Sequence, residues 1–296
     1  MQAIETILSI YILILAGFVI QKFTNIEDKA LTKVIVFILL PALVFVGFLE
    51  KEFSSLELFL PALFAGLLLL IGGFGYLVGK LLKLPKEKRN ILSATSTMSN
   101  TGNYGIPFCV AVLGKEALPI TALIVLGSTI ITFTWGAYII SAGKNSFKQS
   151  LKNVVKLPLI YAFLAAVLIK SLNITIPGVI LNPITMLGDA SIPMFLVLLG
   201  IFLAKMKRKH ISFKMIGAAT ILKLMIMPAA AFGIAYFLKL PELIFAVFVL
   251  EAAMPTAVNT INLSSLYNVQ PKTTAAIVFI TTLLSLGTLT VISFLV

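Results

Sequence analysis

The chain has 296 residues, 59% hydrophobic and 11% charged, with a formal net charge of +12 and a mean hydropathy of +1.09. A soluble domain does not bury so large an apolar fraction, whereas a bilayer accepts it. The positive surplus sits in short clusters between apolar runs, a placement that accounts for it without nucleic acid. The single cysteine, Cys109, excludes an intramolecular disulfide and a cysteine-based metal cluster.

The apolar runs are about 20 residues long, the length a helix needs to cross a hydrocarbon core of ~30 Å. They predict ten spans, at Ala3–Phe23, Leu31–Leu49, Leu56–Val78, Asn90–Leu113, Ala117–Ile140, Val154–Ser171, Ile180–Leu203, Met215–Leu238, Leu243–Tyr267 and Thr273–Leu295. Strands of a membrane barrel would alternate polar and apolar residues, and Leu58–Leu70 does not. The first span has no basic lead-in or small-residue cleavage site and reads as a retained helix. The sixth is the shortest, hemmed by Lys156, Pro158 and Lys170.

The loops alternate in charge. Eighteen basic residues fall on one side, in clusters around Lys33, Lys86, Lys148, Lys207 and Lys272. Only Lys51, Lys115, Lys170 and Lys239 fall on the other, and Lys223 lies inside a span. The positive-inside rule places the basic side in the cytoplasm of a cell or inner membrane, and both termini outside.

The chain also repeats itself. Pro41 and Pro193, and Pro119 and Pro271, are 152 residues apart at matching places in the span order. Lys83-Leu84-Pro85 and Lys239-Leu240-Pro241 are 156 apart. Five spans per half make the second half enter from the opposite side, an inverted repeat of the kind used for alternating access. The units are 1–143, a connecting loop 144–152, and 153–296.

Two spans are interrupted. The fourth reads Ser99-Asn100-Thr101-Gly102-Asn103-Tyr104-Gly105-Ile106-Pro107, and the ninth Glu251-Ala252-Ala253-Met254-Pro255-Thr256-Ala257-Val258-Asn259. Irregular backbone at this depth must be buried in protein or line a wet cavity, and matched interruptions in two repeats point to a transport site. The half-helices after each break should begin near Gly105 and Ala257, their positive ends facing a substrate anion held by Asn103 and Asn259.

Asn100 to Pro107 resembles the glycine–asparagine–proline signature of the auxin efflux carrier family. Ala253-Met254-Pro255-Thr256-Ala257 resembles its second-half partner, and Gly188-Asp189-Ala190-Ser191-Ile192-Pro193 the family's seventh span. The resemblance implies an all-α integral membrane protein of ten transmembrane helices in two inverted five-helix repeats, with helices 4 and 9 broken and crossing. It further implies a small organic anion as substrate, malate or an auxin-like acid. The short loop from Gly143 to Lys152 has no room for the long insert of the plant exporters and favours a prokaryotic carboxylate carrier. The substrate residues so suggested are Asn100, Asn103, Gly105, Pro107, Pro255 and Asn259.

Three ionisable residues lie well inside spans, Asp189, Lys223 and Glu251, each about ten residues from a span end and hence near the midplane. Facing lipid, each would cost roughly 2.5–3.5 kcal/mol on insertion scales. They are either an internal ion pair, Lys223 with Asp189 or Glu251, or a coupling site with Lys223 compensating charge. Glu251 flanks a break, and Ser99, 152 residues earlier, is its expected counterpart. Glu251 and Asn100, with Ser99, Ser128 and Thr132, could surround a sodium ion, a grouping remotely similar to the sodium site of bile-acid symporters. A lone carboxylate would serve a proton. Asp189 ranks behind Glu251.

The competing classes are weaker. The chain has no zinc motif and no pair of intramembrane aspartates, and its one histidine, His210, falls in a lysine-rich loop, so no enzyme is expected. A channel would be expected to use a filter loop or oligomeric symmetry. A sensor without transport would need a signalling domain. A sodium-coupled symporter of another organic solute is the nearest alternative carrier. The expected partners are the substrate anion and the bilayer, with monomer or homodimer left open, and no cofactor beyond a coupling ion.

In a Cys109→Ala background, single cysteines at Lys86 and Lys207 should be shielded from an impermeant thiol reagent in intact cells, and cysteines at Lys51 and Lys170 labelled. The reverse pattern would overturn the orientation.

Overall fold

The computed structural model describes residues 2–50, 53–141, 158–205 and 213–296. The connecting loop 144–152, residues 154–157 of the sixth span, Lys51, Lys207 and His210 lie outside them. The described residues are helical, with no strand among them.

The helices are α1 (Gln2–Thr24), α2 (residues 28–50), α3 (Ser55–Leu81), α4 (Lys86–Thr97), α5 (Thr101–Leu113) and α6 (Ala117–Ile140). They continue with α7 (Pro158–Ser171), α8 (Gly178–Lys205), α9 (Phe213–Phe237), α10 (Glu242–Ala252), α11 (Asn259–Leu266) and α12 (Pro271–Ser293). Among the described residues, six helical stretches are long and apolar enough to cross a membrane: Ala30–Leu49 of α2, and α3, α6, α8, α9 and α12. Many of their large apolar side chains stay exposed, Leu70, Met186 and Val291 among them, as a lipid-facing surface requires. The chain is thus a multi-pass membrane protein. Where a fourth and a ninth span were expected, the structure has two short helices each, α4 with α5 and α10 with α11, broken at 98–100 and 253–258.

Two groups of helices form. α1 packs along α8, and α2 along α7 and α8; α4 and α6 pack on α3, α9 on α10, and α12 on α9 and α11. Small residues set the closeness of the first group. A Cβ on Gly17 would overlap the main chain at Val197, and one on Gly200 the main chain at Ile14, so α1 and α8 touch backbone to backbone.

The helix ends recur between the halves. α3 ends with Leu84 N–H donating to Gly79 O at 3.0 Å and Lys83 N–H to Lys80 O at 3.0 Å; α9 ends with Leu240 to Ala235 at 3.0 Å and Lys239 to Tyr236 at 3.1 Å. Lys83 and Lys239 are both left-handed, at φ 53° and 52°. This is the Schellman arrangement, which satisfies the last carbonyls of a helix. Pro85 and Pro241 then precede α4 and α10, because proline cannot continue the helix before it but suits the start of the next.

Gly17→Leu and Gly200→Leu should each separate α1 from α8 and cost about 1–3 kcal/mol or more. The readout is loss of monodisperse protein in detergent gel filtration after heating. Gly66→Leu, where an added Cβ meets nothing within 4 Å, should leave the profile unchanged.

Candidate functional site: the paired helix breaks

Both breaks strand backbone polar groups deep in the protein, and each satisfies the other. Ser99 and Thr256 form an isolated antiparallel bridge. Asn100 N–H donates to Pro255 O at 2.9 Å, and Ala257 N–H to Met98 O at 2.9 Å. Pro255 has no N–H to satisfy and contributes its carbonyl alone. Hydroxyls complete the exchange. Thr256 Oγ1 donates to Thr95 O at 2.8 Å, a carbonyl in the last turn of α4, and Ser99 Oγ lies 3.4 Å from both Glu251 O and Met254 O at the end of α10. Thr256 was not singled out from the sequence, although it follows Pro255 directly in the second motif.

A cavity meets the crossing from the face that carries Lys33, Lys205 and Lys272. Its inner lobe, about 230 Å³, is lined by Ser99, Asn100, Asn103, Ser128, Thr132 and Asn259, with Thr32 and Lys33 of α2 opposite. Its outer lobe, about 720 Å³, shares Thr32, Lys33, Asn103 and Asn259, and reaches Lys205 and Lys272. Thr101 and Ser128 join across the wall at 3.0 Å. Lys205 is engaged by Asp28 at 2.5 Å and by the Ile26 carbonyl at 2.6 Å. Asp28 is the only acidic residue lining either lobe, so among the described residues Lys33 and Lys272 face the space as unneutralised cations. The sequence offered Lys33 as a topology signal; that it also lines a cavity depends on how α2 faces the crossing.

Of the residues expected to contact substrate, Asn100, Asn103 and Asn259 line this cavity. Gly105, Pro107 and Pro255 do not. Gly105 has another task. A Cβ there would overlap both carboxylate oxygens of Glu251, so its missing side chain is the seat of that carboxylate. The half-helices begin near the expected points: the α-helical part of α5 starts at Ile106 with Gly105 as its N-cap, after a π turn over Thr101–Gly105 that was not foreseen, and α11 starts at Asn259.

Of the residues expected at a coupling ion, Ser99, Asn100, Ser128 and Thr132 share the inner lobe. Glu251 lies behind the crossing, fully buried. Its Oε1 is 3.9 Å from the Cys109 sulfur, and its Oε2 has no partner among the described residues. The helix frame also moves its counterpart. Counting from Pro85 and Pro241, Glu251 matches Thr95 rather than Ser99, because the repeat offset through this region is 156 rather than 152.

Lys223 is fully buried in a π turn of α9, Leu222–Ile226. Its Nζ lies 3.4 Å from Ser96 O, at the carbonyl end of α4, and 3.1 Å from the Met227 sulfur. A cation there meets the negative end of the helix dipole. Of the two alternatives, the ion pair is absent among the described residues: neither Glu251 nor Asp189 forms a salt bridge with Lys223. Asp189 stands apart from the whole site. It is half-exposed and pairs with Lys115 at 3.1 Å, beside a separate cavity that Leu43, Pro119 and Gly188 help to line. Counting along the helix gives a height but not a direction: Asp189 faces Lys115 in the turn before α6 rather than the crossing.

The chain matches, over residues 2–293, a family described as membrane transport protein. It is 31% identical over 299 residues to an uncharacterized transporter of Methanocaldococcus jannaschii, covering 97% of this chain and 96% of that one. It is 28% identical over 301 residues to an uncharacterized transporter of Methanothermobacter thermautotrophicus, covering 98% and 97%.

Thr256→Val keeps the shape of the crossing and removes the hydroxyl that meets Thr95 O. With that buried carbonyl left short of a donor, the variant should be destabilised by about 1–3 kcal/mol, read as a lowered melting temperature in detergent. Thr129→Val, on the cavity wall and outside the pairing, should melt like the parent.

Proposed function

Because the chain belongs to the membrane transport protein family, the auxin efflux carrier group whose motif it carries, we propose that it is a secondary active transporter of a small organic anion working by alternating access. The observation that carries this reading is the polar cavity that ends on the mutually paired helix breaks and opens toward a lysine-bearing face. A carboxylate entering from that face meets Lys33 and Lys272 first. At the crossing it meets the amides of Asn103 and Asn259, the latter in the first turn of α11, where free N–H groups and the dipole favour an anion.

The recurring caps at Lys83 and Lys239 and the equivalent breaks support ten spans in two inverted five-helix repeats, lodged in the plasma membrane. The eighteen-to-four charge asymmetry supports a cytoplasmic mouth and extracytoplasmic termini. Substrate classes to be expected are a carboxylate such as malate or an auxin-like acid.

Glu251 is the coupling residue in this reading. It is buried, lacks a full set of partners and abuts the start of α5 through Gly105. A proton bound there, or a sodium ion held with Asn100 near the crossing, would neutralise the carboxylate as the anion binds, while Lys223 offsets its charge when it is empty. Ser99, Ser128 and Thr132 supply neutral oxygens on the cavity side. Asp189 has no part at this site.

The test is uptake into proteoliposomes, screened with labelled malate, other small dicarboxylates and indole-3-acetate. Asn103→Ala and Asn259→Ala should each lower uptake of the accumulated acid about 10- to 100-fold, the worth of one hydrogen bond to a charged group. Glu251→Gln should abolish uphill accumulation and its response to sodium or pH, while Asp189→Asn retains both. Normal uptake by both asparagine variants would overturn the site. Unchanged coupling in Glu251→Gln would reduce Glu251 to a structural charge.

A further inference from the structure

A second cavity, of about 510 Å³, lies away from the crossing, where α3 and α6 end and α4 begins. Gly73 and Tyr76 line it from α3, Lys86 and Asn90 from α4, and Trp135 and Tyr138 from α6. The transport reading uses none of these residues. The depth is that of a membrane interface. Gly73 is eight residues from the end of α3 and Asn90 four from the start of α4, so the cavity reaches from the surface to about 12 Å inward.

Several of its polar groups lack a partner among the described residues. Asn90 is 5% exposed, and its side-chain amide, which offers both N–H donors and an acceptor oxygen, makes no hydrogen bond within the described residues. The indole N–H of Trp135 is buried and unpartnered. Lys86 has no ion-pair partner among the described residues, and α4 starts at Pro85 without a side-chain cap, leaving amide N–H groups of its first turn free. Among the described residues no acidic side chain lines the space, and Arg89 adds positive charge beside it, its guanidinium 5.6 Å from the Tyr76 ring centre. Around the mouth the surface is apolar, with Phe74, Leu77 and Leu81 exposed.

We propose that this cavity seats the phosphate headgroup of an anionic phospholipid, drawn from the leaflet on the basic face, with its acyl chains lying over Leu77 and Phe74. The aromatic rings and the lysine are the side chains that favour the interface, and a lining that holds Lys86, has Arg89 beside it and has no carboxylate among the described residues favours an anionic headgroup over a zwitterionic one, whose own cation would meet Lys86. The lipid would sit on the start of α4, the half-helix whose other end forms the crossing.

Trp135 is the only tryptophan of the chain, so its emission reports on this cavity. In phosphatidylcholine proteoliposomes, brominated phosphatidylglycerol should quench Trp135 with an apparent affinity about five-fold above that of brominated phosphatidylcholine, as expected for one lysine beside an anionic headgroup. Lys86→Gln should remove that preference, and Lys88→Gln, outside the lining, should keep it. Gly73→Leu, where an added Cβ meets nothing within 4 Å, should fill the space and abolish the preference without lowering the melting temperature. Equal quenching by the two lipids would overturn the proposal, as would a preference that survives Lys86→Gln and Gly73→Leu. Relief of quenching by millimolar inorganic phosphate would also overturn it, by pointing to a soluble anion.

Discussion

Everything near the centre of this protein depends on the pairing of two pieces of backbone that are not helical. A membrane core offers no water to stray N–H and carbonyl groups, so a single break there is costly. Two breaks that lend each other hydrogen bonds are not. Ser99–Asn100 and Pro255–Thr256 do this with one antiparallel bridge and two side-chain hydroxyls. The arrangement fixes where α4 and α10 stop and α5 and α11 resume. It therefore also fixes four helix ends, two negative and two positive, inside one small volume.

Charge follows from those ends. Lys223 lies against a carbonyl at the end of α4, and Asn259 opens α11 beside the cavity. Glu251, on the last turn of α10, is kept from the cavity by the crossing and fits only because residue 105 has no side chain. The two buried groups, Lys223 and Glu251, form no salt bridge with each other. Among the described residues neither has the oppositely charged partner that would lock it permanently, which distinguishes this cluster from a structural salt bridge.

Much of the architecture was legible in the sequence, for physical reasons. Hydropathy marks helices that face lipid, and glycine, asparagine and proline in mid-span mark breaks, so both interruptions were found at the right residues. Depth and direction were harder. Asp189 was placed at the site by counting along its helix, and counting gives a height but not a direction: the residue faces Lys115 in the turn before α6, away from the crossing. Gly105 was given to the substrate because its motif mixes residues that line the cavity with one that makes room for Glu251. Ser99 was matched to Glu251 by an offset taken from prolines outside the breaks, and the caps at Lys83 and Lys239 show that the register shifts between those regions.

The two ion pairs described here differ in what they join. Lys205 and Asp28 connect α8 to the start of α2, elements already packed together, so this bond travels unbroken with any rigid-body shift of that group. Lys115 and Asp189 connect the turn between α5 and α6 to α8, and so reach from one helix group to the other on the face away from the cavity mouth. A rocking motion that opened that face would have to part this pair, and one that closed it again would restore it. In the alternating-access reading, a contact worth little to folding, being exposed, would then weigh in the balance between two conformations, because it would exist in only one of them.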